Sequence, residues 1–92
     1  MGVVEGKVIS SFELGVTIDD IEYRHFYIDN NGGKFSIIVK PDCSDFIECI
    51  NELFYKPYNG KYAVVEGEIN PEKSRKEDNE IIADSVKIEN VS

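Results

Sequence analysis

The stretch Ile21-Glu22-Tyr23-Arg24-His25-Phe26-Tyr27-Ile28-Asp29-Asn30-Asn31-Gly32-Gly33-Lys34-Phe35-Ser36-Ile37-Ile38-Val39-Lys40 decides the fold. Two apolar-rich runs flank Asn30-Asn31-Gly32-Gly33, and Asn and Gly are the residues that tolerate positive φ, so the pattern reads as a β-hairpin. The strands cover about residues 21–29 and 34–40. A period of two then sorts the side chains. Phe26 and Ile28 share one face with Phe35, Ile37 and Val39 of the next strand, and this face is assigned to the core. Tyr23, His25 and Tyr27 fall on the other face, as do Lys34, Ser36, Ile38 and Lys40.

Upstream, Val4, Gly6, Val8, Ser10, Phe12, Leu14 and Val16 alternate with a set that includes Glu5, Lys7, Ser11 and Glu13. This is a half-buried strand, residues 3–16, too long to run straight, and a bend is expected at Gly6 or near Ser10-Ser11. Thr17-Ile18-Asp19-Asp20 reads as a turn. Downstream, Pro41 ends the third strand, and Asp42, Ser44 or Asp45 can cap a helix. Phe46, Ile47, Ile50, Leu53 and Phe54 follow at helical spacing and are expected in the core. The helix should stop before Pro57, with a turn at Asn59-Gly60.

A fourth strand covers residues 61–69, the wholly polar segment 70–80 is a loop, and a fifth strand covers residues 81–91. The apolar phase of that last strand slips between Ala83 and Val86, which predicts a bulge. Val4-Glu5-Gly6-Lys7-Val8 and Val65-Glu66-Gly67-Glu68-Ile69 repeat an apolar-x-Gly-x-apolar pattern. Glycine inside a strand is costly unless the strand bends or another backbone comes close, as small barrels require.

At 92 residues the chain is one domain, residues 1–92. Cys43 and Cys49, six apart, fall on nearly opposite sides of a helix, which favours two reduced thiols over a disulfide. With one His, they do not make a zinc site. A Ser-His-Asp signature, a phosphate-binding Gly loop and paired metal ligands are all missing, so an enzyme, a metal or a cofactor is not expected. The N-terminus lacks the pattern of a signal peptide and no apolar run approaches about 18 residues, so a cytoplasmic protein without membrane contact is expected.

The order strand-strand-strand-helix-strand-strand, the two Gly-containing strands, the Phe26-x-Ile28-Asp29 to Gly33 hairpin running into Phe35-x-Ile37-x-Val39, and the Ile81-x-Ala83 to Val86-x-Ile88 ending resemble an OB-fold. The kind is that of single-strand binding proteins and replication protein A subunits. The resemblance covers essentially the whole chain and implies an all-β protein with one helix, a five-stranded OB-type β-barrel. OB-folds bind oligonucleotides on the outer face of strands two and three with the adjoining loops. Carried over, the resemblance implies a site of Tyr23, His25 and Tyr27, with Lys34, Ile38 and Lys40 beside them, Lys7 from strand one, and Lys73, Arg75 and Lys76 from the polar loop.

Two functions are compatible with these residues. The first is a single-stranded DNA or RNA binder, monomeric when isolated, in which bases stack on the tyrosines and lysines meet phosphates. Against it stand a net charge of −8 and Asp19, Asp20, Glu22 and Asp29 near the proposed face. The second is an acidic protein-interaction subunit of a larger replication or repair complex, docking through Ile9, Ile38, Val64 and the tyrosines onto a basic partner.

Overall fold

The computed structural model describes residues 2–69 and 79–91. Its elements are β1 (Gly2–Val8), β2 (Glu13–Ile18), β3 (Ile21–Asn30), β4 (Gly33–Val39), helix α1 (Phe46–Ile50) continued by a π-helical turn (Asn51–Tyr55), β5 (Lys61–Ile69) and β6 (Asn79–Asn90). The sheet order is β1-β5-β6-β4-β3-β2, and an added β1–β3 pairing closes five of these strands into an OB-like barrel. All neighbours are antiparallel except β4 and β6. The long first strand of the sequence reading is thus two strands, broken over residues 9–12, near the expected Ser10-Ser11. The first half closes the barrel, and the second forms an outer ribbon with β3. No helix among the described residues is long and apolar enough to cross a membrane.

The paired glycines have a steric reason. A Cβ at Gly6 would collide with the Asp29 carbonyl, and one at Gly67 with the Ile82 carbonyl. Both sit where two backbones converge, Gly6 at the β1–β3 closure and Gly67 at the irregularity between β5 and β6, so only a residue without a side chain fits. The expected bulge is present as well: Glu66 faces Ser85 while Gly67 faces Ala83, leaving Asp84 unpaired. The β3–β4 hairpin closes on Asn31 and Gly32, both at positive φ, between the paired Asn30 and Gly33. Asp19 and Asp20 do the same between Ile18 and Ile21, so the first turn begins two residues later than the sequence suggests.

Inward residues of every barrel strand meet in one core that includes Val8, Phe26, Ile28, Ile37, Val39, Ala63, Val65 and Val86. Phe12, Cys49 and Leu53 cap it, with Phe12 edge-on to Phe46 at 5.4 Å and to Phe26 at 6.1 Å. The helical segment departs from expectation in two ways. Asp45 precedes α1, yet its carboxylate makes no capping bond there and accepts the Val86 N–H at 2.8 Å, tying the helix to β6. Secondly, the helix is short and ends in a turn held by Lys56 N–H donating to the Asn51 carbonyl, five residues back. Pro57 has no N–H to offer Leu53, so the Leu53 carbonyl is satisfied by Ser11 Oγ at 2.9 Å and Phe12 N–H at 3.3 Å. Ile47 and Phe54, expected in the core, are instead 67% and 43% exposed. Cys43 and Cys49 are free thiols, and burial pushes the Cys49 thiol well above its ordinary range.

Candidate nucleic-acid interface

Strand β3 displays Tyr23, His25 and Tyr27 in one row on its outward side, each half-buried. The row stands where it does because the alternate residues Phe26 and Ile28 are fully buried, fixing the pleat. Tyr27 is anchored through its backbone. Its N–H donates to Ser10 Oγ at 2.8 Å and its carbonyl accepts from Ile9 N–H at 3.0 Å, so the bend between β1 and β2 grips the strand. The Tyr27 ring meets the His25 ring edge to face, with centroids 5.2 Å apart. The exposed Lys34, paired with Asp29, turns its Nζ to 4.8 Å from the Tyr27 ring centroid. Lys40, half-buried, continues the outward row of β4 just beyond the strand's end.

The centre of the face is electrically mixed. His25 Nδ1 lies 3.3 Å from Ser36 Oγ, Glu13 is paired opposite His25 on β2, and Glu80 is paired opposite Ser36 on β6. Burial pushes the His25 pKa down, and the fields of Glu80 and Glu13 offset this only in part, so the ring is neutral at pH 7. Glu13 and Glu80 join the face although alternation within β3 and β4 does not point to them. Their positions follow from cross-strand register, which the break at residues 9–12 and the bulge in β6 conceal.

Four further expectations need correction or restriction. Ile38 does face outward, as its alternation requires, but it is fully buried. Strand β4 is flanked on both sides by β3 and β6, with Ile38 between His25 and Ile82, and no surface of Ile38 remains for a ligand. This removes Ile38 from the binding face, and also from the proposed apolar patch with Ile9 and Val64. Val64 is half-buried between Glu5 and Lys87 on adjacent strands, so that patch does not form. Lys7 is exposed but stands near the barrel seam, opposite Asp29 on one side and Tyr62 on the other. Lys73, Arg75 and Lys76 lie outside the described residues. No cluster of His, Cys, Asp or Glu among the described residues could hold a metal ion.

Comparison with protein-family models, with curated proteins and with solved structures finds no match to this chain.

Proposed function

We propose that the chain is a single-stranded nucleic-acid-binding module of the OB type, with the β3–β4 face as its binding surface, in the manner implied by its resemblance to single-strand binding proteins and replication protein A subunits. The observation that carries the reading is the Tyr23-His25-Tyr27 row bordered by Lys34 and Lys40. Rings spaced along one strand offer successive stacking platforms, and the flanking ammonium groups can meet the phosphates between bases.

Magnitudes decide whether Lys34 obstructs this face. An exposed cation over a tyrosine ring gains about 0.5–1 kcal/mol, whereas a stacked base contributes about 1–3 kcal/mol. A base can therefore displace Lys34 from Tyr27 and leave its Nζ free for a phosphate. The flanking Glu13, Asp29 and Glu80 and the net charge of −8 keep the affinity low and salt-sensitive.

The module binds its ligand without transforming it.

The test is fluorescence anisotropy of a labelled oligothymidine against the protein and a Tyr23→Ala/Tyr27→Ala variant at low salt. Loss of two stacking contacts should weaken binding at least tenfold, with the barrel still folded by circular dichroism. Unchanged affinity in a folded variant would remove this face from consideration.

A further inference from the structure

The outward row of β3 does not end at Tyr27. Asp29 lies two residues further on the same side of the strand, and there the surface passes onto β1 and β5 through the register pairs Lys7–Asp29 and Lys7–Tyr62. A cleft of about 370 Å³ opens at this junction, and its lining includes Glu5, Lys7, Asp29, Asn30, Asn31 and Tyr62. We infer that this cleft receives a nucleobase bearing an exocyclic amino group, that is cytosine, adenine or guanine, from a strand bound on the β3–β4 face. The inference rests on the proposed reading of that face and adds a selectivity which stacking alone does not give.

The walls of the cleft are fixed by the fold. The Asp29 carbonyl stands where a side chain on Gly6 would be, so β1 and β3 meet closely beside it. Asn30 Nδ2 donates to the Glu5 carbonyl at 2.8 Å and ties the hairpin tip to β1. Tyr62 O–H donates to Glu5 Oε1 at 3.2 Å, which sets the ring and the carboxylate side by side. Asn31, at positive φ in the turn, is exposed at the rim.

The chemistry of this lining suits the edge of a base. Glu5 and Asp29 bring two carboxylates against the single ammonium of Lys7, so a phosphate there meets net negative charge. A metal ion is poorly served as well, since only two carboxylates line the cleft and one of them already accepts from Tyr62. A carboxylate accepts hydrogen bonds and cannot donate them. Cytosine, adenine and guanine each offer it an amino group, whereas the exocyclic groups of thymine and uracil are carbonyls and methyl. Lys7 and Asn31 supply donors for the acceptors of the same base, and the Tyr62 ring supplies a surface for its plane. A base held by both its plane and its edge is how single strands are read selectively.

The probes are oligodeoxycytidine and oligothymidine of equal length, titrated separately into the isotope-labelled full chain by NMR at low salt and neutral pH. Both are pyrimidine strands of equal charge, so the pair isolates the amino group. Both should shift Tyr23, Tyr27 and Lys40. Only oligodeoxycytidine should shift Glu5, Asp29, Asn31 and Tyr62, and it should bind about fivefold tighter or more. In a Glu5→Gln/Tyr62→Ala variant, folded by circular dichroism, the ratio of the two affinities should fall to about one. Equal affinities in the parent, or a ratio indifferent to that variant, would overturn the inference and leave the β3–β4 face standing. Magnesium chloride that alone moves the cleft residues as far as oligodeoxycytidine does would overturn it too, since the cleft would then be a cation site. Shifts at the cleft without shifts at the row would keep the cleft and remove the β3–β4 face, and binding of neither strand would remove both.

Discussion

Tyr27 is held at both ends of its backbone and on its ring, by Ser10, Ile9, His25 and Lys34. That fixation makes it the strongest anchor of the face and gives Lys34 two opposed effects, since it covers the ring yet supplies a charge. Lys34→Ala should therefore change affinity little at moderate salt. It should flatten the dependence of log K on log salt by about 0.7, the contribution of one phosphate contact on a single strand. Anisotropy titrations over a salt series measure that slope, and an unchanged slope would mean Lys34 meets no phosphate. His25 yields a prediction about stability. Its folded pKa lies below the ordinary value, so the unfolded chain takes up a proton that the folded chain refuses. Stability is then intact at pH 7 and falls as the pH drops through about 6.5 toward the depressed folded value. His25→Gln should remove this slope in urea titrations across that window. Identical slopes in parent and variant would contradict it. The tyrosines, histidine and lysines of the row are readable from alternation alone. The burial of Ile38 is not, because alternation gives a side and says nothing of which strands lie on either side.

Elements defined by local signals are legible in this chain. Asn31-Gly32 closes a hairpin, Gly6 and Gly67 mark converging backbones, and the slip between Ala83 and Val86 becomes a bulge. Gly67→Ala should accordingly cost more than about 2 kcal/mol in chemical denaturation, because backbone and not a flexible side chain stands in the way. A loss under about 0.5 kcal/mol, the range of an ordinary surface change, would show that the β5–β6 backbones can part there. The helix is the element least visible in advance. Its five apolar residues suit a single buried stripe, and nothing local announces that the last turn widens or that Asp45 serves β6. At its exit, Lys61 is buried and donates to Glu52, whose carboxyl the lysine hydrogen bonds, Lys61 first and then Lys56, hold below the ordinary range. Glu52→Gln strands the buried ammonium, whereas Lys61→Met replaces it with an apolar chain of similar length. Glu52→Gln should therefore destabilise more than Lys61→Met does, as compared by urea midpoints. The reverse order would mean the ammonium is well solvated.

At the scale of the molecule, the break in the first strand lets one chain segment serve both the closed barrel and the outer ribbon, so that β1 meets β5 and β3 while β2 meets β3 alone. Closure was legible as a class of architecture. The neighbours it creates were not, and Glu13 and Glu80 reach the site through long-range register. Lys34 and Lys40 border the aromatic row in a chain whose net charge is −8. The most direct measurement is an NMR titration of the labelled protein with a short oligothymidine at low salt. Shifts gathered at Tyr23, His25, Tyr27, Lys34 and Lys40, and reversed by added salt, are the predicted result. An unperturbed spectrum at millimolar oligonucleotide, or shifts confined to other faces, would contradict it.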